Sequence, residues 1–108
     1  MVAEAAGRRM RMEVLVASPP TSRCKQILAV MTAEVERHPE LTRLDIYQAG
    51  SEASVRPTDA FVNLGKRKKV PSAYVNGRVV AEREPPEGDK LRAIVEEELA
   101  RGPEAWQA

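Results

Sequence analysis

The chain has 108 residues, 43% of them hydrophobic, which suits one small domain with a single core and is too little for a second domain. Its 17 lysines and arginines nearly balance 16 aspartates and glutamates, so the net charge of +1 gives no reason to expect nucleic acid or an acidic membrane as a partner. The sequence has no signal-peptide pattern, no apolar run of about 18 residues, and only one cysteine and one histidine, so we expect a cytoplasmic protein without a disulfide, a metal site or a membrane segment.

The first half of the chain predicts a strand, a helix and a second strand. Residues 1–11 are small, charged and aperiodic, which is typical of a disordered leader. Residues 12–17 form an apolar run, as in a buried strand, and a serine and two prolines interrupt it. A helix capped by Thr21 or Ser22 follows, with apolar residues at helical spacing up to the proline at position 39. Residues 41–47 then alternate apolar and polar side chains, which predicts the second strand.

The second half predicts a short helix, a hairpin and a last helix. Pro57 suits the first turn of a short helix that a glycine ends. Asn76 and Gly77 fit a tight two-residue turn, so the apolar runs on either side predict paired antiparallel strands. Apolar residues at helical spacing predict a last helix ending near Gly102, with its glutamates 96–98 on the wet face, and residues 102–108 form a tail.

This order of elements restricts the topology. A strand–helix–strand unit is nearly always a right-handed crossover between parallel strands, whereas the hairpin must be antiparallel. The expected fold is therefore α/β, with one mixed four-stranded sheet, helices on both faces, and a single domain over residues 12–101.

The element order, Cys24 in the first turn of the first helix, and Val70-Pro71 ahead of the hairpin together resemble the thioredoxin and glutaredoxin superfamily over residues 12–101. The resemblance implies a βαβαββα fold with sheet order 2-1-3-4 and three helices, and a cis-proline at Pro71. Cys24 would match the second cysteine of the C-x-x-C motif, Lys25 the lysine after it, and Thr21 the first cysteine. The motif here is thus T-x-x-C, which lacks the usual nucleophile of the family.

Cys24 is the candidate catalytic residue. The first turn of a helix lowers the pKa of a thiol, and Arg23 and Lys25 could add electrostatic support or contact a substrate. The alternative is a structural thiol, because free cysteine is often buried and Cys24 is in phase with the apolar face of its helix. Thr21 could donate its hydroxyl to the sulfur, or cap the helix, or do both.

Two further features point to binding. Val70 and Pro71 would shape a groove for an extended peptide or a glutathione-like ligand, as the resemblance implies; the alternative is a proline that starts an edge strand. The four cations after the short helix could hold an anion or an acidic partner, or form a solvated loop. These cations are Lys66, Arg67, Lys68 and Lys69. Aromatic platforms for nucleic acid are nearly absent, so nucleic acid is not the expected partner.

Two functions follow as expectations. The first is monothiol thiol–disulfide exchange through Cys24, with Thr21 as its hydrogen-bond partner and glutathione as a candidate co-substrate. The alternative is a non-catalytic adaptor that recognises a protein segment at the Val70-Pro71 groove and the basic run 66–69. The partner is then a protein or a thiol substrate, and the residues do not specify an oligomeric state.

Overall fold

The computed structural model describes residues 8–108, which form four strands and three α-helices in the predicted order. The strands are β1 (Met10–Val16), β2 (Thr42–Gln48), β3 (Ser72–Val75) and β4 (Arg78–Glu82). The helices are α1 (Ser22–Arg37), α2 (Asp59–Asn63) and α3 (Gly88–Ala100), and short 3₁₀ turns cover Gly65–Arg67 and Pro103–Ala105.

The strands form one mixed sheet in the order β2-β1-β3-β4. β1 pairs with β2 in parallel and with β3 antiparallel, and β3 pairs antiparallel with β4. The hairpin turn between β3 and β4 has Asn76 at φ 51° and Gly77 at φ 79°, the positive torsions that a tight two-residue turn needs. The predicted fold class, sheet order and helix number are confirmed.

The two faces of the sheet carry separate apolar clusters, because successive residues of a strand point to opposite faces. The even-numbered residues of β1 join a cluster with α1 and α3 that includes Cys24, Ile27, Leu91 and Val95. On the other face, Leu15 packs in a smaller cluster of three aromatic rings. These rings are Tyr47, Phe61 and Tyr74. Helices therefore cover both faces, with α2 alone on the side of the aromatic cluster.

The first strand begins earlier than predicted. β1 begins at Met10 rather than Met12, and it ends at Val16. Met10 is fully buried, and its N–H donates to the carbonyl oxygen of Leu41 at 2.7 Å, so pairing with the edge strand extends β1 into the predicted leader. Residues 1–7 of that leader lie outside the described residues.

The segment 102–108, predicted as a tail, packs against the domain. Trp106 is buried, and its indole N–H donates to the carbonyl oxygen of Glu98 at 3.0 Å. The backbone N–H of Gln107 donates to the side-chain oxygen of Asn76 in the hairpin turn at 2.6 Å. The indole and the turn asparagine thus hold this segment against α3 and the hairpin.

Glu98 was predicted on the wet face of the last helix, and it is instead buried. Asn76 and Arg101 donate to its Oε1 at 2.9 and 3.0 Å. Burial raises the pKa of Glu98, but these hydrogen bonds and the charge of Arg101 outweigh it, so that the pKa lies below the ordinary value of a glutamate. The C-terminal segment bends over α3 and covers Glu98, which the neighbouring residues of the helix do not bury.

No helix within residues 8–108 is both long enough and apolar enough to cross a membrane.

Candidate functional site

The carboxyl end of β1, the start of α1 and the residues before β3 meet at one end of the sheet. Leu15 lies opposite Ser72 in the antiparallel β1–β3 pair, so the next step of the register brings Val16 and Ala17 towards Pro71 and Val70. The backbone N–H of Ala17 lies 3.4 Å from the sulfur of Cys24, which joins the start of α1 to the same point. The residues that the sequence singled out at positions 21, 24, 70 and 71 therefore lie at the same end of the sheet.

Thr21 both caps α1 and donates a hydrogen bond to the cysteine. Its hydroxyl oxygen accepts the backbone N–H of Cys24 at 3.2 Å, as an N-cap residue does. The same hydroxyl donates to the sulfur of Cys24 at 3.2 Å. The two roles left open by the sequence therefore coexist.

The hydrogen bonds favour the thiolate of Cys24. Burial raises the pKa of the thiol, but the hydroxyl of Thr21 and the N–H of Ala17 outweigh this effect and lower the pKa below its ordinary value. The groups that lower the pKa are a hydroxyl and backbone N–H groups.

The sulfur is also shielded from solvent. Cys24 has 0% exposure and belongs to the main apolar cluster, beside Val16, Ile27 and Met31. A bulky disulfide substrate must reach the sulfur directly, so attack needs a local opening of the structure. The structure thus combines a feature of a reactive thiol, a lowered pKa, with a feature of a structural thiol, complete burial.

The cations next to Cys24 face water. Arg23 forms an exposed ion pair with Glu84, with an N–O distance of 2.9 Å. Lys25 is exposed, and among residues 8–108 it forms no ion pair with a carboxylate. Both side chains lie at the surface beside the start of α1. The groups that lower the pKa of Cys24 are hydrogen-bond donors rather than these two cations.

The residues before β3 present free backbone. The Val70–Pro71 peptide bond is cis, Pro71 is buried, and its carbonyl oxygen accepts the N–H of Arg83. Val70 is 39% exposed, and within the described part of the chain nothing hydrogen-bonds to its backbone N–H or C=O. Hydrogen-bonded pairs alternate along an antiparallel ladder, so the next one after Leu15 and Ser72 would join Ala17 to Val70. The N–H of Ala17 points to the sulfur of Cys24 instead.

The basic run 66–69 leads directly into Val70. Arg67 donates to the carbonyl oxygens of the α2 end, and the ammonium of Lys68 lies 4.7 Å from the ring centroid of Phe61. Lys66 and Lys69 are exposed. None of the four forms an ion pair with a carboxylate of residues 8–108, so their charge is not neutralised within that part of the protein.

A buried polar network, which the sequence analysis does not predict, forms around Glu13. Glu13 has 0% exposure, and it was read as part of an apolar run. Its carboxylate accepts the hydroxyls of Tyr47 and Thr58, both at 2.7 Å, and the N–H of Thr58 at 3.0 Å. Burial and this bond to Glu13 raise the pKa of Tyr47 well above the ordinary value.

Arg11 completes this network. Its guanidinium donates to Asp45 at 2.8 Å and to the hydroxyl of Tyr47 at 3.2 Å. A signal was present in the sequence, because charged residues recur with a spacing of two at Arg11 and Glu13 and again at Arg43 and Asp45. In paired strands such residues share one face of the sheet. The network joins β1, β2 and the cap of α2, and none of its hydrogen bonds involves Cys24.

Within residues 8–108 no group of three or more histidine, cysteine, aspartate or glutamate side chains could hold a metal ion. A scan against protein-family models and a search of curated proteins each found no match to this chain.

Proposed function

We propose that this chain is a thioredoxin-like binding module that recognises an extended, acidic protein segment at Val70 and the basic run 66–69. The observation that supports it best is the backbone of Val70. Its N–H and C=O lie beside the ends of β1 and β3 and form no hydrogen bond within the described residues, so an added strand could pair with them.

The charge of the surface favours an acidic partner. Four consecutive cations precede Val70 without a carboxylate partner in the described residues, so an acidic segment would gain ionic contacts while its backbone pairs with Val70. Such contacts mainly increase the association rate and weaken as salt rises.

Cys24 has a structural role in this proposal. Its sulfur accepts the N–H of Ala17, which would otherwise continue the ladder and pair with Val70. In this proposal the buried thiol therefore keeps Ala17 from pairing with Val70, and the backbone of Val70 stays free for a partner. Recognition of this kind needs no thiol chemistry.

The test uses immobilised, end-blocked hexapeptides in which valine or threonine alternates with glutamate, and a matched set with lysine in place of glutamate. We expect the glutamate set to bind and the lysine set not to bind. Lys69→Glu should weaken binding, whereas Lys90→Glu on α3 makes the same charge change away from the site and should not. Cys24→Ser should retain binding. Equal binding of both peptide sets, or equal loss in Lys69→Glu and Lys90→Glu, would contradict the proposal.

A second candidate, monothiol exchange, is favoured by the lowered pKa of Cys24. In that reaction the thiolate attacks a disulfide sulfur, forms a mixed disulfide and releases the other sulfur as a thiolate; glutathione disulfide is the natural small substrate to test. Reaction of the folded protein with an aromatic disulfide reagent separates the two candidates. Prompt release of the aromatic thiolate supports exchange, and release only after denaturation supports the binding module alone.

A further inference from the structure

A cavity lies on the α2 face of the sheet, on the opposite face from Cys24. It opens between the loop after β2 and the 3₁₀ turn at residues 65–67, and its volume is about 420 Å³. Small-molecule sites commonly have volumes of about 300–1,000 Å³. The cavity is therefore large enough for a small ligand.

The floor of the cavity is apolar and well packed. It consists of Leu15, Tyr47 and Phe61, all buried. The ring centroid of Phe61 lies 4.8 Å from that of Tyr47 and 5.2 Å from that of Tyr74. The hydroxyls of both tyrosines already have partners, Glu13 for Tyr47 and Ser72 for Tyr74. The floor consequently offers apolar surface with few unpaired polar atoms.

The rim adds an exposed apolar side chain and open backbone. Val62 lines the cavity and is 53% exposed, so its side chain offers apolar surface at the rim. Gly50 and Gly65 also line the cavity, and a Cβ atom at either position would meet nothing within 4 Å. Within residues 8–108 the rim is therefore open at these two glycines.

The charge at the rim has one sign. Lys66 and Lys68 line the cavity, and no aspartate or glutamate of residues 8–108 does. The ammonium of Lys68 is held 4.7 Å from the ring centroid of Phe61 and 3.4 Å from its carbonyl oxygen, at the edge of the apolar floor. A cation positioned next to aromatic rings matches a ligand that carries an anionic group beside an apolar body.

We propose that this cavity binds a small amphipathic anion, with a flat or branched apolar body on Leu15, Tyr47 and Phe61 and a carboxylate or similar monoanion between Lys66 and Lys68. Exposed ion pairs alone are weak, so an inorganic anion would not be retained. The apolar floor provides the contact area, and the lysines select an anion over a neutral molecule.

The test is a titration with naphthoate, followed by the amide NMR signals of the folded protein. We expect saturable shifts centred on Gly50, Val62 and Gly65. The neutral analogue naphthylmethanol and the apolar-free anion acetate should each bind more weakly. The double variant Lys66→Gln, Lys68→Gln should weaken naphthoate binding by about fivefold, as loss of two exposed ion pairs predicts. Lys69→Gln is the matched control, because Lys69 does not line the cavity.

A second pair of variants separates this site from peptide recognition at Val70. Val62→Glu adds a negative charge at the rim and should weaken naphthoate binding more than Val62→Gln does, and the uncharged Val62→Gln should leave hexapeptide capture unchanged. Shifts that do not saturate, equal affinity for naphthoate and naphthylmethanol, or unchanged binding in the double lysine variant would overturn the proposal. If the parent protein binds naphthoate but does not capture the glutamate hexapeptides, only the proposed function is contradicted.

Discussion

Thr21→Val tests the link between the start of α1 and the thiol. Valine keeps the shape of the side chain but removes a hydroxyl that accepts the N–H of Cys24 and donates to its sulfur, both at 3.2 Å. Loss of a threonine N-cap costs about 1 kcal/mol of unfolding free energy. For a domain of this size, that corresponds to a fall in Tm of roughly 4–8 °C.

The same change should depend on pH. The pKa of Cys24 in the folded protein is lowered relative to the unfolded chain, so the thiolate stabilises the fold fully above the unfolded pKa of about 8.5. This contribution is lost as the pH falls through the folded pKa. Because Thr21 supplies one of the hydrogen bonds that lower the pKa, the difference in unfolding free energy between the parent protein and Thr21→Val should be larger at about pH 9 than at about pH 6.

Urea denaturation at the two pH values measures this difference, and the Cβ NMR shift of Cys24 followed against pH measures its pKa without needing access to the sulfur. Thr21→Ser keeps the hydroxyl and is the control, with an expected pKa and stability close to those of the parent. If Thr21→Val lowers stability equally at both pH values and leaves the pKa of Cys24 unchanged, the hydroxyl only caps the helix and the argument for a stabilised thiolate is wrong.

Two predictions concern the scaffold. Glu13→Ala should lower the unfolding free energy by about 3–5 kcal/mol, because it leaves the buried donors of Tyr47 and Thr58 without an acceptor. Glu13→Gln keeps one oxygen and should lower it clearly less. Similar losses for both variants in urea denaturation would contradict this. Gly77→Ala should be more destabilising than Gly50→Ala, since both glycines have φ near 80° (79° and 81°) but only the Cβ at Gly77 would lie 2.6 Å from another side chain. Equal changes in Tm would show that the backbone torsion alone sets the cost.

Much of the fold followed from local patterns. The Asn76-Gly77 turn, the helical spacing after Thr21 and the alternation in β2 depend on neighbours a few residues apart, and topological rules then restricted the sheet. The hydrogen bond between Thr21 and Cys24 was foreseeable for the same reason, because an N-cap and the residue three positions later always lie close together.

Contacts between residues far apart in the sequence could not be predicted in this way. Glu13 was read as part of an apolar strand, since nothing next to it in sequence indicates that residues 47 and 58 will satisfy its carboxylate. The burial of Trp106 and Glu98 likewise depends on how the last segment bends back over α3. Periodicity reports which face a residue occupies, whereas these partners come from other elements.

Cys24 shows the division most clearly. Its place in the first turn of α1, and with it the donors that lower its pKa, could be read along the chain, because a helix terminus is a local structure. Its phase on α1 left burial open as an alternative, but complete burial could not be read from the sequence, because the cluster that encloses the sulfur includes residues of β1, β3 and α3. Backbone torsions and short spacings are encoded nearby in sequence, but access of solvent to an atom depends on every element that packs around it.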